Sequence, residues 1–264
     1  MKIKIFLRLI RKILPNLLLE KIQSLQSCLL SKWILHSGSQ VIGLSHKPAM
    51  VFSPHQDDET FGCGGTIALK REHEIPVYVV FLTDGGQGFV DVDSHLEAKN
   101  VQTRKQEAVK ALEVLGVEES SIHFLDKPDG KLQLLASEER QSTIQQVIQL
   151  LKIHQPGEVY VPHRKDCHKD HEATYEIVKE AIAQAKIDTE LLQYPIWLFW
   201  EAPLFLKLKF HDIATASRLT ITSVREKKQK AISAYTSQLE ILPPAFVNLF
   251  LQSDEIFFTE SDKS

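Results

Sequence analysis

Residues 51–68, VFSPHQDDETFGCGGTIA, limit what this chain can fold into more than any other stretch. A short apolar run stops at His55, Asp57, Asp58 and Glu59, one imidazole and three carboxyl groups within five residues. Like charges packed so closely are costly at the end of a buried strand unless a cation shares the site. Gly62, Gly64 and Gly65 follow, and predict a tight turn with the next helix drawn close to the sheet. The reading is strand, metal-binding loop, helix.

Residues 159–171, VYVPHRKDCHKDH, supply what the first stretch lacks. Another apolar run ends in Asp166, His168, Asp170 and His171, just ahead of a helical pattern starting at Glu172. Histidine plus carboxylate from one loop and histidine from the other make a mixed nitrogen and oxygen set. Zinc accepts that set, and in catalytic sites it leaves the fourth position to water.

The remaining pattern alternates. Strands are predicted at residues 49–53, 75–82, 122–125 and 159–161, and helices from the glycine cluster to about 72, then at 97–115, 138–154 and 172–186. The run 75–82, IPVYVVFL, is apolar throughout, as suits a strand covered on both faces. Such alternation predicts an α/β, Rossmann-like three-layer fold with a mostly parallel sheet, where sites form beyond the carboxyl ends of strands. Both polar clusters fall at such ends. Beyond residue 191 the pattern is less regular. Residues 194–210, with Pro195 and Pro203, read as a strand and a loop walling the pocket, 220–224 as a strand and 225–239 as a helix. Trp197, Phe199 and Trp200 suit either core packing or stacking on a sugar ring.

The amino terminus has another character. Lys2, Lys4, Arg8, Arg11 and Lys12 precede the first acidic residue, Glu20, and break every apolar run below the roughly 18 residues needed to span a bilayer. The same charges interrupt the apolar core of a signal peptide. What remains is a basic, amphipathic helical segment, residues 1–45, ahead of a single large domain, residues 46–264. Within it, residues 1–35 either lie on an anionic membrane or pack against the domain or a partner subunit. A net charge of -3 excludes a general nucleic-acid footprint. Cys28, Cys63 and Cys167 are too few for a disulfide framework and contain no CxxC pair, which points to the cytoplasm. Peripheral membrane association there depends on which of the two roles residues 1–35 take. The oligomeric state is left open.

The segments Pro54-His55-Gln56-Asp57-Asp58-Glu59 and His168-Lys169-Asp170-His171 resemble the (P/A)HPDDE and HxDH motifs of the PIG-L/LmbE-like zinc-dependent N-deacetylases. Gln56 stands where proline is usual, which predicts a less rigid loop. The similarity continues through Leu82-Thr83-Asp84-Gly85, Arg104-x-x-Glu107 with Ala108, Leu115-Gly116, and Lys228-x-x-Ala231 to Ser237-Gln238. The resemblance implies an LmbE-like deacetylase domain with His55, Asp58 and His171 holding one Zn2+ or Fe2+. It implies Asp57 as general base and His168, as imidazolium, as general acid or oxyanion stabiliser. Asp166 and Asp170 would fix imidazole tautomers, with their pairing open. Arg104 either positions a carboxylate or the substrate, or pairs with Glu107 as a solvated helix charge. Glu59 and Asp84 either cap loops or meet substrate hydroxyls. His123 and His163 read as structural. The implied substrate is an N-acetylglucosamine-type amide in a small glycoconjugate or lipid-linked sugar. The rival class is a catalytically silent sugar- or lipid-binding module, disfavoured because Asp57 and His168 both remain. Phosphate or peptide hydrolysis is disfavoured by the lack of a second metal-ligand set or an HExxH sequence.

Overall fold

The apolar runs of the sequence become neighbours in one sheet. A computed structural model describes residues 16–86, 94–201, 215–252 and 254–260. Among them are the strands β1 (Gln40–Ile42), β2 (Ala49–Ser53), β3 (Val77–Thr83), β4 (Ile122–Lys127), β5 (Glu158–Pro162), β6 (Glu190–Tyr194), β7 (Ala216–Thr220) and β8 (Asp254–Phe258). Their order across the sheet is β1-β7-β8-β6-β5-β2-β3-β4. Only β8 runs antiparallel to its neighbours, β6 and β7.

Alternation along the strands explains the layers. In β2, Ala49 and Val51 join one core cluster while Met50 and Phe52 join the other; in β3, Val77, Val79 and Phe81 divide from Val80 and Leu82 in the same way. Helices α2 (Asp58–Glu72) and α3 (Ser94–Leu115) cover the first face, and α4 (Ser137–His154) and α5 (Lys169–Ala185) the second. The three-layer α/β fold expected from the sequence is the one observed.

Several elements differ from the sequence reading. Gly62, Gly64 and Gly65 lie inside α2 and make no turn. Gly62 serves close approach instead, since a Cβ there would stand 2.3 Å from the Tyr194 ring. The strand expected to begin at residue 194 ends there, and a short helix α6 (Leu198–Glu201) follows; residues 202–214 lie outside the described residues. The strand expected at 220–224 sits earlier, as β7. The helix expected over 225–239 is two pieces, α7 (Arg225–Ile232) and α8 (Thr236–Leu239), because the intervening turn sends Tyr235 inward to Glu59.

The basic amino-terminal cluster, Lys2 to Lys12, lies outside the described residues. From Asn16 the chain forms helix α1 (Asn16–Trp33), and Leu30 of that helix packs with Ile34 on Leu198, Phe199 and Phe258. The sheet already takes in Gln40–Ile42, on the amino-terminal side of the boundary expected at 45 and 46. No helix of the described residues is long and apolar enough to cross a membrane.

A buried ion pair locks α2 to the sheet. Lys228 Nζ lies 2.7 Å from Glu255 Oε1, with both side chains almost fully enclosed. Lys228 also donates to the Phe61 carbonyl at 2.7 Å, while Glu255 accepts from the Gly65 N–H at 2.6 Å. The pair therefore occupies both ends of one helical step. Lys228→Met keeps the stem and leaves the Glu255 carboxylate buried without its counter-ion, held only by the Gly65 and Thr66 donors, so it is expected to cost about 3–5 kcal/mol of stability. Urea denaturation measures this, and a loss below about 1 kcal/mol would show that the carboxylate finds other support.

Candidate active site

The chain leaves β2 for β3 and β4 on one side, then returns to β5 on the other, so the crevice between β2 and β5 is a topological switch point. His55 follows β2, Asp58 opens α2, and His171 lies in the first turn of α5, which follows β5. There Asp58 Oδ2 lies 3.1 Å from His55 Nδ1 and 3.2 Å from His171 Nε2, and the two ring nitrogens are 3.3 Å apart. A tetrahedral ion with bonds near 2.0–2.2 Å spaces its donors roughly 3.3–3.6 Å apart. The three sides, at 3.1–3.3 Å, lie at or just below that spacing, so small outward shifts of the donors would admit such an ion.

Their outer partners orient the rings for it. His171 Nδ1 faces Asp166 Oδ2 at 2.7 Å, and His55 Nε2 faces Asp129 Oδ1 at 3.1 Å and Asp170 Oδ2 at 3.3 Å. A ring nitrogen that donates outward to a carboxylate leaves the other with a lone pair pointing inward. The geometry thus pairs Asp166 with His171 and Asp170 with His55. Burial opposes charge on both rings, yet the surrounding carboxylates outweigh it, raising His55 and bringing His171 to about 9. Burial likewise pushes the Asp58 carboxyl up, but His171 and His55 hold it below the usual range. A dication bound there would therefore have to displace protons from the same centre.

Asp57 stands beside this triangle in a strained loop. Its φ of 142° is rare outside glycine, and its N–H donates to Glu59 Oε2 at 3.1 Å. Burial and the Asp58 charge raise the Asp57 carboxyl to about 8, against the pull of Arg104. Arg104 Nη2 is 3.8 Å from Asp57 Oδ1 and donates to the Gln56 carbonyl at 3.1 Å. Arg104 is buried and is not the partner of Glu107, which accepts from Ser237 N and Oγ at 2.8 and 2.7 Å. Nor does Gln56 loosen the loop, because its Nε2 donates to the Thr83 carbonyl at 2.8 Å.

Glu59 is fully buried and accepts from the Tyr235 and Thr60 hydroxyls as well as from Asp57 N–H, so it closes the loop and stays out of the cavity. Burial raises its carboxyl to about 7. Asp84 accepts from the Gly86 N–H at 2.9 Å, closing its own turn. The His168 ring lies 4.9 Å from that of His55 and 4.8 Å from that of His171. Its Nδ1 accepts from Asp170 N–H at 3.3 Å, leaving Nε2 as an N–H donor. Burial, then the neighbouring imidazoles, lower it to about 3, so the ring is neutral where the sequence reading has an imidazolium.

The cavity over these groups is walled by Phe61, Ile196, Trp197, Gln238, Leu242 and Phe246. Trp197 stacks on Phe246 with centroids 4.5 Å apart, whereas Phe199 and Trp200 are buried in the core. His163 packs against Phe258, and His123 lies beside His154. Asp129, which also lines the cavity, escaped the sequence reading. Pro128-Asp129-Gly130 looks like an ordinary turn. The available signal was its place just past the carboxyl end of β4, at the same edge as both motifs.

A family model described as PIG-L: GlcNAc-PI de-N-acetylase matches residues 50–182. The chain is 27% identical to the diacetylchitobiose deacetylase of Thermococcus kodakarensis over 73% of its own length and 70% of that protein. It is 29% identical to a probable N-acetyl-alpha-D-glucosaminyl L-malate deacetylase 2 of Bacillus subtilis, covering 52% of this chain and 61% of that one. The structure of the 4-carboxy-2-hydroxymuconate hydratase of Pseudomonas putida superposes with a TM-score of 0.59 at 26% identity, over 77% of this chain and 82% of that one.

Two results are expected for the metal-free protein. Because His171 holds a proton up to about 9, affinity for Zn2+ should rise with pH toward that value, and binding near neutrality should release protons. Calorimetry in buffers of different ionisation enthalpy measures the release. Affinity independent of pH would remove the competition. Asp166→Asn should lower metal affinity by about 10–100-fold by freeing the His171 tautomer.

Proposed function

The chain belongs to the PIG-L GlcNAc-PI de-N-acetylase family, and on that premise we propose that it is a metal-dependent hydrolase removing the acetyl group from an N-acetylglucosamine-type amide. The substrate would be a small glycoconjugate or a lipid-linked sugar. The observation that carries this reading is the triangle of His55, Asp58 and His171 donors, 3.1–3.3 Å on each side, with Asp57 and His168 facing the same cavity. The relatives named as deacetylases of amino-sugar substrates support it.

His55, Asp58 and His171 would hold zinc or iron(II), which when bound supplies Lewis acidity toward a carbonyl oxygen and acidifies water to a pKa of about 7. Asp57 takes the proton of the attacking water as the new C–O bond forms, then passes it to nitrogen as the C–N bond breaks. A carboxylate that titrates near neutrality can do both. His168 directs its Nε2–H at the carbonyl oxygen where negative charge develops. Products are acetate and the free amine. Arg104 and Glu59 keep Asp57 in its strained position, and Trp197 against Phe246 offers an apolar face to a sugar ring.

The hydratase relative raises a second reading, water addition to a substrate bearing carboxylates. Charge speaks against it. Asp57, Asp58 and Asp129 line the cavity, and the Arg104 guanidinium there is committed to the Gln56 and Gly85 carbonyls. A neutral amide suits that lining better than a polyanion.

Acetate release and bound metal are measured together on the same preparations. Asp57→Asn should keep the metal and lose at least about 100-fold in turnover, and His168→Ala should do the same. A silent binding module would show no turnover to lose. A protein that binds no divalent metal, or a His171→Ala variant retaining both metal and activity, would refute the assignment.

A further inference from the structure

The domain covers one side of helix α1 and leaves an apolar side exposed. Leu30 is buried against the Leu198, Phe199 and Phe258 cluster, and Ser27 Oγ donates to the Phe199 carbonyl at 2.8 Å. Leu18, Ile22, Leu25, Leu29 and Trp33 remain between 40% and 63% exposed. At 3.6 residues per turn, their spacing places them within an arc of about 80°, on the side away from Ser27 and Leu30. A continuous stripe of this kind marks a docking surface, unlike hydrophobic residues scattered singly.

Charge selects the occupant. Residues 1–35 contain seven basic residues and a single acidic one, Glu20, in a chain whose overall charge is -3. Lys21 and Lys32 are exposed and fall on one flank of the stripe. An apolar face bordered by ammonium groups suits a helix lying in the boundary between headgroups and acyl chains, with Trp33 at the interface and the lysines among anionic headgroups. A second copy suits it less, since a twofold contact would bring the same basic segments face to face.

We propose that the exposed face of α1 docks the protein on an anionic lipid surface. This rests on α1 and not on the deacetylase reading, which can fail without it. Ser31 and the neighbouring Leu35 border a mainly apolar pocket that shares Phe61 and Ile196 with the active-site cavity. Ser31 lies on the covered side of α1, so the lipid-facing stripe is turned away from that pocket.

Sedimentation of the full chain with phosphatidylcholine vesicles, with and without phosphatidylserine, tests the proposal. Binding is expected to the anionic vesicles, to weaken with salt, and to fall at least about tenfold in both Leu25→Glu/Leu29→Glu and Leu25→Ala/Leu29→Ala, with the unfolding midpoint unchanged. Equal binding to both vesicle types would overturn it. So would double variants that bind as tightly as the parent, or that dissociate an oligomer while vesicle binding is unaltered.

Discussion

Crowding of ionisable groups at one buried point governs this structure. Asp58, Asp129, Asp166 and Asp170 surround His55 and His171, and all four carboxyl groups are enclosed. Uncompensated buried carboxylates are prohibitive, so the cluster must hold either protons on its imidazoles or a cation between them. The raised His55 and His171 are the first solution; the spacing of the three inward donors suits the second. A dication could take the place of those protons while the outer oxygens keep their ring nitrogens as donors.

The carboxylates that orient the rings also shape the cavity. Asp166 accepts from the backbone N–H groups of Ile196, Trp197 and Leu198, at 2.9, 3.1 and 2.9 Å, as well as from His171. One side chain thus sets a histidine tautomer and fixes the segment that carries Trp197. Asp170 does the same on the other side, accepting from Gly130 and Leu132 N–H at 2.7 and 3.0 Å and so holding the turn that carries Asp129. Donor geometry and pocket shape are coupled through these two residues.

The sequence revealed what is local. The two clusters end apolar runs, and each run alternates between the faces of the sheet, so the layers and the edge bearing the site were legible from residues 49–53 and 159–161. What it hid depends on contacts far apart in the chain. Arg104 and Glu107 are helical neighbours that look like a pair, yet one holds the Gln56 carbonyl and the other Ser237. Glu59 lies inside the motif but works as a brace through Tyr235, a contact no spacing rule reaches. Asp129 was masked by its turn, and the helical break at Tyr235 has no glycine or proline to announce it.

Gln56 shows how the loop does without the rigidity of proline. Proline would fix φ from within the residue. Here stiffness comes across the strands: Gln56 Nε2 donates to the Thr83 carbonyl, Thr83 N and Oγ1 donate to the Pro54 carbonyl at 3.1 and 2.6 Å, and Arg104 holds Gln56 O. Space for the longer side chain comes from Gly85, whose φ is +70° and where a Cβ would fall 2.2 Å from Gln56 Oε1. The arrangement leaves Gln56 Oε1 and Arg104 Nε buried without a partner among the described residues, at a cost of about 1–3 kcal/mol each. The ties it retains include charge-assisted bonds from a buried guanidinium, of about 1.5–3 kcal/mol apiece. The two sides are comparable, so the loop is held in place more firmly than it is stabilised, which is what a strained Asp57 requires.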